Sequence, residues 1–184
     1  MGVTSRSLGI ALCASFLALL AAFPLFAAGP EPVPGGFREL RLGMSLDAAK
    51  KALKADTYFD YRGDPDVSML QRPDDNLIEC GGFSYISRAY FQFHDKILYT
   101  INLVLNRAEI DFYTMYTTLV AKYGQPTFLN PQEVVWESDA YRLSLEHPLS
   151  VKYIDRQIFE KLKEAGKMQE SARAVSRADF LKQF

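Results

Sequence analysis

The chain has 184 residues, 48% of them hydrophobic and 13% aromatic. That is the length and balance of one globular domain, which excludes disorder, collagen and coiled coil as the main state. Lys and Arg total 21 against 22 Asp and Glu, a formal charge of -1, so there is no basic field for nucleic acid.

Residues 1–28 stand apart from everything after them. Arg6 is their only charge, and the run LGIALCASFLALLAAFPLFAA from Leu8 to Ala28 has none. A short positive start, an apolar stretch, a helix breaker at Pro24 and small residues after it form the pattern of a secretory signal, with cleavage after Ala27 or Ala28. The same run is long enough to remain as an N-terminal anchor. A third reading lipidates Cys13, although Leu12 before it is larger than such processing prefers. The expectation is a protein exported into a bacterial envelope, periplasmic or membrane-attached. Once residues 1–28 are removed, Cys80 is the only cysteine. No internal disulfide can form, and Cys80 is expected as a small buried hydrophobe.

Gly29 to Gly36 (GPEPVPGG) is expected as a tether. FRELRLG, from Phe37, alternates and suits one short strand. Ser45 then caps a helix with Asp47 in its first turn and Leu46, Ala49 and Leu53 on one face, ending near Ala55. Tyr58, Phe59 and Tyr61 suit a strand. Arg62 to Asn76, rich in Asp and broken by Gly63, Pro65 and Pro73, is expected as a long loop. From Ser84 the period is two: Ala89, Phe91 and Phe93 oppose Tyr90, Gln92 and His94. After a turn at Asp95-Lys96, residues Ile97, Tyr99, Ile101, Leu103 and Leu105 share a face, which predicts a hairpin.

Phe112, Met115, Tyr116, Leu119, Val120 and Tyr123 recur at helical spacing, with Asp111 to cap the start and Gly124 and Pro126 to stop the run. Glu133 to Glu137 resumes a strand. A second hairpin runs through Tyr141, Leu143 and Leu145, turns at His147-Pro148, and returns through Leu149, Val151 and Tyr153. Asp155 opens a last helix. From Lys161 the tail has six basic and three acidic residues. Helix, strand, hairpin thus occurs twice, with Ala89-Tyr90 aligned on Ala140-Tyr141. The expected fold is α+β: two helix-plus-hairpin halves over residues 37–160 forming one antiparallel sheet with helices on one face, followed by a basic C-terminal helix or tail over 161–184.

Leu42-Gly43-Met44-Ser45, opening a short helix, resembles the start of the small lipoprotein of the outer-membrane β-barrel assembly machine. That family has a Gly-Met-Ser/Thr entry, two helices and a three-stranded sheet, and its helix exit often reads Gly-x-Pro, here Gly124-Gln125-Pro126. The first helix departs from the pattern, with Lys54-Ala55-Asp56 in that place. The doubled plan is similar in architecture to secreted β-lactamase-inhibitor proteins, which carry two such units and bind by their sheet. Together these resemblances imply protein binding in the envelope without catalysis.

The residues themselves offer little catalysis. His94 and His147 occupy equivalent hairpin turns and read as polar turn residues, since no metal-binding His spacing accompanies them. Ser84 lacks the second glycine of a nucleophile elbow. Gly81-Gly82 has no phosphate-loop Lys after it. Asp64-Pro65-Asp66 and Asp74-Asp75-Asn76 lack the spacing of a calcium loop. No cofactor or metal is expected. Tyr85 and Tyr90, beside a loop carrying Arg62 and Arg72, are the candidate contacts for an envelope protein partner, because exposed aromatics with Arg make binding anchors. Two rivals stand: an enzyme of envelope polymers with a paired-carboxylate site, and a small-ligand carrier, which needs an apolar cavity.

Overall fold

The computed structural model describes residues 30–69 and 75–181. Residues 1–28, read above as a signal, and Arg72 and Asp74 lie outside the described residues. Among the described residues the fold is α+β, with a two-stranded and a nine-stranded antiparallel sheet and three helices.

The first helix, α1 (Leu46–Ala55), starts where its cap dictates: the Ser45 hydroxyl accepts the Ala48 N–H at 3.3 Å. Its buried residues are Ala49 and Leu53. Before it, β1 (Gly36–Phe37) and β2 (Leu40–Arg41) form a tight hairpin, which corrects the expectation of one strand. Arg38 takes a positive φ of 54° at the turn, folding the stretch back and burying Leu40 and Leu42. Residues 30–36 are docked, where a free tether was expected. Glu31 donates its N–H to Lys122 O at 2.9 Å, and Gly35 lies so close to the Tyr141 ring that a Cβ would stand 2.7 Å from it.

The described part of the Arg62–Asn76 stretch, 62–69 and 75–76, holds more regular structure than expected. After β3 (Phe59–Asp60) it holds a short 3-10 turn at Asp64–Asp66 and then β4 (Val67–Met69). The next strand, β5 (Asp75–Gly82), is a strand that sequence reasoning missed, because Glu79 and the Gly81-Gly82 pair mask the alternation of Ile78 and Cys80, both buried. It is followed by β6 (Ile86–His94) and β7 (Ile97–Leu105). Their turn at Asp95-Lys96 has both φ values positive, 49° and 61°, the twist that suits a two-residue hairpin.

A bulge corrects the expected face of β7. Gln92 pairs with Thr100 but Phe93 pairs with Leu98, leaving Tyr99 as the extra residue. Leu98 therefore enters the core, and the Tyr99 hydroxyl reaches Gln92 Oε1 at 3.2 Å.

The second half repeats the plan: α2 (Phe112–Tyr123), β8 (Phe128–Leu129), β9 (Glu133–Glu137), β10 (Tyr141–Glu146) and β11 (Ser150–Asp155). The Asp111 carboxylate caps α2, accepting the Thr114 N–H at 2.9 Å, and Gly124, at φ 79°, ends it. The strand order is β3-β5-β6-β7-β11-β10-β9-β8, with β4 beside β5. The halves meet where β7 and β11 pair. Phe91 pairs with Ile101 as Leu143 pairs with Tyr153. Both members are shifted by 52 residues (143 minus 91, 153 minus 101), and Ile101 itself pairs with Tyr153. A local two-fold axis therefore passes through that pair. The expected alignment of Ala89-Tyr90 on Ala140-Tyr141 is one residue out. A one-residue slip reverses the face: Tyr141 lies against the core, whereas Tyr90 lies on the opposite side with Arg142.

One core row crosses six strands, Ile78-Phe91-Ile101-Tyr153-Leu143-Trp136. α1 and α2 pack on this face. The Trp136 indole N–H donates to Gly124 O at 2.9 Å, tying β9 to the end of α2. The last helix, α3 (Arg156–Leu181), follows β11 directly. It opens at Asp155 as expected, with the Asp155 carboxylate accepting the Ile158 N–H at 3.1 Å. No described helix is long and apolar enough to cross a membrane.

Candidate functional site

Because side chains alternate along a strand, the core rows imply a second set pointing away from the helices. Two such rows read Glu79-Tyr90-Asn102-Lys152-Ser144-Val135 and Leu77-Gln92-Thr100-Ile154-Arg142-Glu137. Their central residues line an open hollow of about 510 Å³, to which Phe159 of α3 also contributes.

The charged groups of this face are held in ion pairs. The Lys152 ammonium donates to both Glu146 oxygens at 2.7 Å, and the Ser144 hydroxyl donates to Glu146 at 2.9 Å. Arg142 spans two acids, with Glu133 at 2.9 Å and Glu137 at 3.7 Å. Each carboxylate next to the hollow is thereby committed to a cation. Two polar atoms are left over. Asn102 Oδ1 and Arg142 Nε are buried and have no hydrogen-bond partner among the described residues. One is an acceptor and one a donor, both on residues that line the hollow. Such groups are costly to leave unmet.

The expected contact residues are only partly brought together. Tyr90 lines the hollow. Arg62 lies at the sheet edge, in a smaller recess with Asp66, Glu79, Cys80 and Arg88. Glu79 pairs with Tyr90 across the strands and forms an ion pair with Arg88, so Arg62 and Tyr90 sit at two ends of one polar band. Tyr85 is set apart. It is 48% exposed, beside exposed Phe83, in the β5–β6 connection at the end of the sheet. The structure adds Gln92, Asn102, Arg142, Glu146 and Lys152 to the band. Their signal was available, since they alternate with the core residues of four strands.

Arg62 has a structural role as well. It donates its backbone N–H at 2.8 Å and its Nε–H at 2.9 Å to buried Asp66. Burial pushes the Asp66 carboxyl up, but the Arg62 hydrogen bonds and charge outweigh it and hold the carboxyl below its ordinary value. Asp64 faces Lys50 at 3.2 Å, so the loop acids turn to cations. No group of three or more His, Cys, Asp or Glu fit to hold a metal occurs among the described residues. His94 and His147 lie at opposite ends of the sheet, because β7 and β11 run antiparallel from their two turns. His147 stacks on Phe112 with centroids 4.0 Å apart. Cys80 is buried, and burial with nearby Asp66, Asp60 and Glu79 pushes its thiol up to about 12, which makes it a poor nucleophile.

A family model, the TP0088 domain, matches residues 35–165, well over half of the chain and nearly all of both halves. The chain belongs to the TP0088 domain family. The matched span runs from the β1–β2 hairpin into the first turns of α3 and so contains the whole polar band. No curated protein and no solved structure matches this TP0088-domain chain.

Proposed function

We propose that this TP0088-domain protein is a non-catalytic envelope protein that docks another envelope protein on the polar face of its sheet, in an assembly or scaffold role. The observation that carries this reading is the open hollow of the polar face, lined by Asn102 and Arg142. Their surroundings are suited to a polypeptide. Tyr90 and Phe159 offer aromatic contact, Gln92 and Asn102 offer amides, and fixed ion pairs rim the surface at little entropic cost. Placement in the envelope is supported by the charge-free run from Leu8 to Ala28, which also offers a membrane attachment if it is retained. The likeness in plan to β-lactamase-inhibitor proteins is one of architecture and adds only analogy.

The test is photo-cross-linking in living cells. A photoreactive residue at Gln92 should yield a discrete adduct with an envelope protein, and one at exposed Lys51 of α1 should not. Adding Arg142→Met should remove the Gln92 adduct while the melting temperature stays close to that of the parent. Absence of an adduct, or the same adducts from both positions, would sink the reading.

A further inference from the structure

A second cavity, of about 540 Å³, lies on the helical side of the sheet. It exists because the two halves meet there. The β1–β2 hairpin and α2 stand on either side of the central strands, and neither closes over their junction. Leu103, Leu105 and Val151 form the floor, with Phe37 and Met115 among the walls. The volume is in the range of small-molecule sites.

The mouth of this cavity is cationic. Arg38, Arg41 and Lys122 line it, with Glu31 as the single acid. Arg38 is engaged with Asp56 at 2.8 Å and Lys122 with Glu31 at 3.5 Å. Arg41 forms no ion pair among the described residues, so one positive charge is uncompensated. Tyr153 is buried among the lining residues, and burial pushes its phenol up, so it stays a neutral hydroxyl.

We infer that this cavity binds a long-chain carboxylate, its alkyl chain on Leu103, Leu105 and Val151 and its carboxylate at Arg41. An apolar floor selects a chain, and one unpaired guanidinium matches one carboxylate in charge and fork geometry. Glu31 across the mouth repels a second negative charge, which disfavours a phosphate monoester. This site is on the opposite side of the sheet from the proposed docking face and stands independently of it.

The experiment is a titration of the full chain with cis-parinarate, followed by displacement. Saturable binding of one probe per chain is expected, with oleate competing and dodecyltrimethylammonium failing to compete. Arg41→Glu should weaken binding by at least about fivefold. Thr118→Trp, placed at the exposed rim where it need not disturb the core, should weaken it likewise by filling the mouth. Melting curves establish that both variants fold. The proposal is overturned by absence of saturable binding, by equal competition from the cation, or by full binding in both folded variants. It is also overturned if native mass spectrometry shows the mouth closed by a second copy of the chain, lost together with probe binding in Thr118→Trp.

Discussion

The two halves of the sheet share one plan and differ in how their helices sit. α1 buries Ala49 completely and Leu53 almost completely, and its small contact residues let the helix approach the sheet closely. α2 presents Phe112, Met115, Tyr116, Val120 and Tyr123, all only half-buried, with Leu119 alone buried. Its bulky side chains thus leave much of their surface open to solvent. A cavity opens on one flank, and on the other lies an apolar groove with Tyr113 72% exposed. The edges differ as well. The first half carries the extra turn and β4 beside β5, with polar Asp66 and Arg62, whereas the second ends in β8 with Phe128 and Leu129 exposed. The duplicated unit thus supplies one half that seals the core and one that leaves surface available.

The largest test of this contrast is a pair of truncations. Leu53→Ala should cost about 4 kcal/mol, since a tightly packed site cannot collapse, and Leu119→Ala about 2 kcal/mol, since α2 has room to settle. Urea unfolding of both variants measures the difference, and equal losses would break the comparison. Next in size is an acid effect in the first half. The Asp66 carboxyl is held below its ordinary value of 3.8 in the folded protein. Its stabilisation is therefore fully present above that ordinary value and is lost as pH falls through the lowered one. Asp66→Asn should destabilise the protein near neutrality and reduce the loss of stability on acidification, as read by melting temperature against pH.

The caps give a smaller contrast. Ser45→Ala should cost about 1 kcal/mol of global stability. Asp111→Ala should show chiefly as faster amide exchange in α2, because a loosely seated helix opens locally. The smallest effect concerns Cys80. In the folded protein its buried thiol should resist a thiol reagent and react at the rate of unfolding, so modification should accelerate in Leu53→Ala more than in Leu119→Ala.

Much of this arrangement was legible in the chain. Ser45, Asp111 and Gly124 announced both helices because capping is local chemistry. The hairpins at Asp95-Lys96 and His147-Pro148 followed from alternation. What escaped depended on partners distant in sequence. β5 hid its strand behind Glu79 and two glycines, and only pairing with β6 reveals it. The bulge at Tyr99 and the true 52-residue repeat are matters of register, which a one-residue ambiguity in alternation cannot settle. For the candidate site, Tyr90 and Arg62 were legible as polar or aromatic anchors, but Tyr85 lies apart at the sheet end. Asn102, Arg142 and Lys152 come from three different strands, and their meeting is a product of the sheet order alone.

The pairing of β7 with β11 has a consequence for the chain as it is made. During synthesis β7 emerges with its hairpin partner β6 on one side and an unpaired edge on the other. Its second partner, β11, lies some 50 residues downstream, beyond α2 and a complete hairpin. Until the ribosome has delivered that strand, the nascent first half exposes a nine-residue, strongly β-prone edge (ILYTINLVL), the kind of template on which unrelated chains aggregate. The central seam of the finished protein is therefore also the part of it that most needs a chaperone beforehand.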